Sequence, residues 1–346
     1  MLPCIQDHRF PVIRAGNLLL IVEKLQAFGV PVSRYLDQAG IPCEVRDKPE
    51  ALISLPDAMR FLDLASDAEA IANLGLLTGQ ATLISDFGAY GELLDRSVTV
   101  YDYLRLGIPL YSAHSNAEYF WLEDLGQAVR LHHELTLEPD LGTTQSDLNT
   151  VSVIIGKFRD ALGPEWTPQA ISLAWKCDDL LSEMPQLRDT KVVTGTGHTY
   201  IELSRSELRA PFPVTTGAFR GIGVSSTNEF EPIPSQLVDL AAVQVERLIV
   251  GSQISLPLLA ETLGLPARTL QYHLAQSGMP YRKMLSEARF RVATDWLATT
   301  NKPIAEIASD LGYREASNFA RAFRKMCGLS PRSYRRVNSD ETLVTI

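Results

Sequence analysis

Two short runs of polar side chains hold the groups that read nucleic-acid bases. Arg268, Thr269, Gln271 and Tyr272 form the first run, and Ser317, Asn318 and Arg321 form the second. An arginine fork matches guanine O6 and N7, a glutamine or asparagine amide matches adenine N6 and N7, and hydroxyls serve either base. Farther on, Arg324, Lys325, Arg332 and Arg335 are cations suited to phosphates, which fix register on a duplex without specifying sequence. The plain alternative for each run is a solvated polar helix face, so the elements that would carry them must decide.

Those elements occur twice. Leu256, Leu259, Ala260 and Leu263 lie at i, i+3, i+4 and i+7, one apolar face of a short helix. Gly264, Leu265 and Pro266 stop it, and a second helix follows with Leu270 and Leu274 turned inward. Ile304, Ile307, Ala308 and Leu311 repeat the first spacing, Gly312 and Tyr313 repeat the stop, and Phe319 and Phe323 repeat the inward pair. The second turn is one residue longer than the first. Helix, glycine turn, helix is the helix-turn-helix plan, whose second helix lies in the major groove. Two copies in register weigh strongly against a chance pattern.

These residues carry a resemblance. The stretch from Ile304 to Tyr313 (IAEIASDLGY), continued by Ser317 to Arg324 (SNFARAFR) and Gly328 to Arg335 (GLSPRSYR), closely resembles the signature of the AraC/XylS transcription regulators. The likeness runs from about Gln236 to Arg336, and is looser in the first unit, where Tyr272 stands at a position commonly arginine in the family. It implies that Arg268, Gln271, Tyr272, Ser317, Asn318 and Arg321 face bases. It also implies that a helix from Tyr281 to Leu297, about 25 Å long at 1.5 Å per residue, holds the two readers in successive turns of the groove. On that helix Arg289 and Asp295 read as structural ion-pair partners. The resemblance further implies promoter DNA, a small-molecule effector, RNA polymerase and a second copy of the chain as partners.

Composition bounds the rest. A chain of 346 residues is long enough for two cores. Its net charge of −9 argues against a nucleic-acid binder until it is divided. Ser252–Arg336 holds 13 Lys and Arg against 6 Asp and Glu, a net of +7, whereas the 234 residues before Ser235 carry −13. The basic charge therefore sits in the unit expected to meet phosphates. Cys4, Cys43, Cys177 and Cys327 show neither metal spacing nor a paired framework and read as reduced thiols. The apolar run Leu18–Val22 is too short for a signal core or a membrane span, so a cytoplasmic protein is expected. No Gly-x-Ser-x-Gly elbow, Walker loop or His-Glu-x-x-His helix occurs. No catalytic residue, metal or cofactor is expected.

The N-terminal part is helical from Asn17 to about Ser112. Alternating strands follow over Ala117–Glu123 and Ala128–Leu137, then a helix over Asp147–Leu162 and strands at Ala170–Trp175 and Thr199–Leu203. This predicts an α+β domain, helices packed on an antiparallel sheet, ahead of an all-α domain with two helix-turn-helix units. The expected division is 1–210 for ligand sensing or dimerisation, 211–235 for a Pro- and Gly-rich linker, and 236–338 for DNA binding. The turn from Asp86 to Gly91 and the exit from Leu208 to Pro213 are similar to the arabinose-binding-like sensory domain of one AraC/XylS branch. Aromatic residues crowd the junction of helix and sheet, Phe120 among them. Phe87, Tyr90, Tyr111, Tyr119, Trp121 and Trp175 are the candidates to bind an effector, with core packing as the plain alternative. Two rivals to a sensor remain open: a ligand-free dimerisation module and a catalytic domain.

Overall fold

The computed structural model describes residues 10–137, 141–176, 187, 190–213, 232–250 and 254–341. Cys4, Cys177 and positions 214–231 of the expected linker lie outside them. The chain divides into two compact units, Met1–Ser235 and Gln236–Ile346.

In the first unit, helices come first. α1 (Ala15–Ala27) buries Leu18, Ile21, Val22 and Leu25, the stripe its spacing predicts. α2 (Val32–Ala39) ends on Gly40, whose φ of 81° only glycine takes without strain. α3 (Leu55–Glu69) starts where the Ser54 hydroxyl accepts from the Asp57 amide at 3.3 Å. α4 (Leu74–Gln80), α5 (Gly88–Leu94) and α6 (Val100–Leu110) complete the set, with Thr99 capping α6 through the Asp102 amide. Two strands of three residues, β1 (Val12–Arg14) and β2 (Leu52–Ser54), pair beside them. They are too short to leave a period in the sequence.

The sheet follows. β3 (Glu118–Asp124) and β4 (Ala128–Leu135) form the expected hairpin, with Leu122 opposite Leu131 and Phe120 opposite His133. β5 (Ala170–Leu173), β6 (Lys191–Thr194) and β7 (Thr199–Ser204) complete the order β3-β4-β7-β5-β6. The sheet is mixed, not wholly antiparallel, because β6, which the sequence reading did not foresee, runs parallel to β5. α7 (Leu141–Leu162) packs closely on α4. A Cβ on Gly75 would lie 1.9 Å from the Gln145 carbonyl oxygen, and one on Gly79 would lie 2.6 Å from that of Asn149. Two glycines one turn apart thus let α4 and α7 touch backbone to backbone.

The second unit is all helical: α8 (Leu237–Ile249), α9 (Leu256–Thr262), α10 (Ala267–Gln276), α11 (Tyr281–Thr299), α12 (Ile304–Asp310), α13 (Ala316–Cys327) and α14 (Pro331–Glu341). The two turns share one geometry. Leu265 N–H donates to Ala260 O and Tyr313 N–H to Ala308 O, both at 2.9 Å, around Gly264 and Gly312 at φ 66° and 74°. This is the left-handed helix stop that glycine supplies. No helix among the described residues is long and apolar enough to cross a membrane.

Candidate DNA interface and sensor cavity

α10 and α13 are the second helices of the two units. Leu270 and Leu274 bury one face of α10, and Phe319 and Phe323 bury one face of α13. The opposite faces expose Arg268, Gln271 and Tyr272, with Thr269 half-buried, and expose Ser317, Asn318, Arg321, Arg324 and Lys325. Both stripes follow from i, i+3, i+4 geometry once the apolar pairs are fixed. The Ser317 hydroxyl donates to Glu315 at 3.0 Å, which ties down the start of α13.

Cations of this unit differ in whether the fold already engages them. Arg291 pairs with Glu246 at 2.6 Å, Lys302 pairs with Asp310, and Arg289 lies 4.7 Å above the Tyr313 ring. Arg335, expected to meet phosphate, is half-buried and donates to the Lys302 carbonyl at 2.6 Å, which fastens α14 to the segment before α12. Arg289 is structural as expected, but it meets the Tyr313 ring and, at 3.5 Å, the Gly312 carbonyl, and no ion pair joins it to Asp295 among the described residues. By contrast, the side chains of Arg268, Arg321, Arg324, Lys325 and Arg332 make no ion pair or hydrogen bond with any described residue. Five uncommitted cations on and beside two exposed helix faces suit a polyanion.

In the first unit, α1, α3, α6 and α7 enclose a cavity of about 110 Å³ against the inner face of the sheet. Its wall is mostly apolar, with Asn17, Ser146, Asn149 and Thr150 as neutral polar members, and Phe87, Tyr90 and Tyr111 belong to it as expected. The other three candidates do not. Strand alternation carries Glu118, Phe120 and Leu122 to one face of β3 and Tyr119 and Trp121 to the other. Trp121 instead stacks on His132 at 4.8 Å, and with Trp175 lines a separate hollow at the end of the sheet. The Tyr119 hydroxyl donates to Asn116 O at 3.0 Å. His132 and His133 point to opposite faces, as their adjacency on a strand predicts: His133 stacks on the inward Phe120.

The polar end of the cavity is a feature the sequence reading missed. Glu118, 5% exposed, accepts from the Tyr111 hydroxyl at 2.5 Å. Behind it His133 Nδ1 meets Asp147 Oδ1 at 2.9 Å, and Thr199 donates to Asp147 Oδ2 at 2.7 Å. Burial raises the Glu118 pKa, with the Asp147 charge adding, against a partial offset from His133 and the Tyr111 hydrogen bond. For His133, burial opposes the charge, but Asp147, Glu118 and Glu134 outweigh it and raise the pKa. The clue available in sequence was an acid one residue from an aromatic run, at the start of a strand that buries both parities. Among the described residues no group of three His, Cys, Asp or Glu side chains is placed to hold a metal.

One end of the same segment meets the residues that leave the unit. Ile233 N–H donates to Ser112 O at 2.8 Å, and Asn116 Nδ2 donates to Pro234 O at 2.9 Å. Both anchors lie between the cavity residues Tyr111 and Glu118.

Comparison with known proteins agrees with this division. Residues 29–212 match the arabinose-binding N-terminal domain of AraC transcription regulators, and residues 259–337 match a helix-turn-helix domain. The ornithine utilization regulator of Pseudomonas aeruginosa is 26% identical, over 94% of this chain and 96% of its own length. The regulator VirS of Mycobacterium tuberculosis is 23% identical, over 94% and 96%. Among solved structures, the transcriptional regulator CdpR from Pseudomonas aeruginosa matches 88% of this chain and 96% of its own at 23% identity, with a TM-score of 0.37. The sensory-domain match covers more than half of the sequence, and the tandem reader follows it: the chain belongs to the AraC family of DNA-binding transcription regulators, with a ligand-binding N-terminal domain, and is not an enzyme.

Proposed function

We propose that the chain is a cytoplasmic, small-molecule-responsive activator that binds promoter DNA as a homodimer and contacts RNA polymerase there. Residues 1–210 sense the effector and dimerise, 211–235 connect, and 236–338 read DNA. Arg268, Thr269, Gln271, Tyr272, Ser317, Asn318 and Arg321 read base edges, while Arg324, Lys325 and Arg332 hold phosphates. The observation that carries this reading is the set of uncommitted cations around two equivalent exposed helix faces, while Arg289, Arg291, Lys302 and Arg335 are engaged within the unit. Arg335, the fourth cation expected at a phosphate, is left out of this set because its guanidinium already donates to the Lys302 carbonyl.

An effector acts only through a difference in affinity between two states of the protein. The cavity offers the place, and the hydrogen bonds from Ser112 and Asn116 to Ile233 and Pro234 offer the route. An occupant that shifts Tyr111 or Glu118 bears directly on the residues leading out of the sensor. A buried carboxyl facing an apolar cavity favours a sensor over a ligand-free dimerisation module, which gains nothing from keeping one. Run-off transcription with purified polymerase tests the whole reading. A metabolite that raises the melting temperature of the full chain should also change transcript yield from its promoter, and an activator raises it. A consistent fall makes the chain a repressor, and indifference to every stabilising metabolite restores the dimerisation module.

A further inference from the structure

The chemistry of the cavity restricts what can occupy it. This inference rests on the sensor reading above and sharpens it. No Lys or Arg lines the cavity, so the carboxylate or phosphate of an anionic ligand would find no counter-charge there. Its one acidic residue is Glu118, whose Oε2 takes the Tyr111 hydroxyl while its Oε1 has no hydrogen-bond partner among the described residues. The residue as a whole is 5% exposed, so a partner for that oxygen has to come mainly from within the cavity. The groups facing Glu118 are Tyr111 from the turn after α6, His133 from β4 and Asp147 from α7. His133 hydrogen-bonds Asp147 and not Glu118, so this buried trio holds two carboxyls for one imidazole. One further positive charge would balance it.

Around that carboxyl the wall suits a cation with an apolar body. Phe87, Tyr90, Tyr111 and Phe120 line the same cavity, and ring faces attract ammonium groups. The volume, about 110 Å³, is of the order of the roughly 150 Å³ that houses benzene. We infer that the effector is a small lipophilic amine, bound as its ammonium ion, with N–H donated to Glu118 Oε1 and the hydrocarbon part against α3, α6 and α7. A bulky sugar or a zwitterion with a second, unmatched charge does not fit this wall.

Three probes of one shape separate the possibilities: benzylamine, benzyl alcohol and benzoate, each titrated into the full-length protein by calorimetry and thermal shift. Benzylamine should bind and raise the melting temperature, with benzyl alcohol weaker and benzoate silent. Glu118→Gln should lower benzylamine affinity by about 10- to 100-fold, the scale of a hydrogen bond to a charged group, and leave benzyl alcohol nearly unchanged. The ranking on the unaltered protein is decisive even if that variant does not fold. Tighter binding of benzoate or benzyl alcohol would overturn the amine while leaving a sensor. So would a Glu118→Gln variant that keeps its preference for benzylamine, or silence of all three probes, and neither outcome bears on the DNA reading.

Discussion

At the residue scale, the side chains proposed to read bases differ in expected effect from those proposed to hold phosphates. Arg321 and Gln271 are exposed on helices whose other faces are buried by Phe319 and Phe323 and by Leu270 and Leu274. Arg321→Ala and Gln271→Ala should each cost about 1–3 kcal/mol on the cognate site and relax preference at one base pair. Arg324→Ala should weaken all duplexes alike and lower the salt slope by about one. Gel shifts on cognate and random duplex check both, and equal losses on the two for Arg321 or Gln271 would make that residue a phosphate contact. The buried trio yields a pH prediction. Glu118 and His133 both have pKa values raised above their ordinary 4.5 and 6.5. A raised group contributes stability that is full below its unfolded pKa and is lost as pH rises through its folded one. The denaturation midpoint should therefore fall as pH rises, in a first window above 4.5 from Glu118 and a second above 6.5 from His133. Glu118→Gln should abolish the first fall and leave a smaller second one, since the Glu118 charge helps to raise His133, and a profile parallel to the unaltered protein would refute the assignment.

Elements explain why some of this was legible in the sequence and some was not. Each helix-turn-helix unit announces itself by apolar residues at i, i+3, i+4 and i+7 on its first helix, a glycine at the turn and an inward pair four apart on its second helix, because each helix must bury one face and the first must then stop. The cavity wall was only half legible. On β3 both parities are apolar or aromatic, so period alone does not say which face meets the helices; the pairing of Phe120 with His133 and Leu122 with Leu131 does. Hence Tyr119 and Trp121 were expected inside and stand outside, while Glu118 was passed over. β6 has four residues and owes its place to its parallel neighbour β5, a contact no local pattern encodes. Asn116 tests the element that links cavity to exit. Its Oδ1 accepts from the buried Val12 amide at 2.9 Å and its Nδ2 donates to Pro234 O. Asn116→Ala should cost the sensor unit about 1–3 kcal/mol for the orphaned amide and speed hydrogen exchange at Ile233. Unchanged exchange there would remove this segment from the switch.

At the scale of the molecule, charge and length agree on one task. The +7 of Ser252–Arg336 and the −13 ahead of Ser235 favour DNA contact through the second unit and oppose it through the first. Within that unit α11 runs 19 residues, about 28 Å at 1.5 Å per residue, as long as a strut between two readers needs to be when one turn of B-DNA is about 34 Å. Its ties are specific: Arg291 reaches Glu246 on α8, and Arg289 lies on Tyr313 at the turn before α13. The central claim is that both helix-turn-helix units read one face of the duplex together. Hydroxyl-radical footprinting of the full-length protein on its own promoter region tests it most directly. Two protected patches are expected for each bound chain, centred about ten base pairs apart on one face of the helix, with the patch of α13 lost in Arg321→Ala and that of α10 lost in Gln271→Ala. A single patch per chain that one of these variants leaves untouched, or protection no different from that on random duplex, would contradict it.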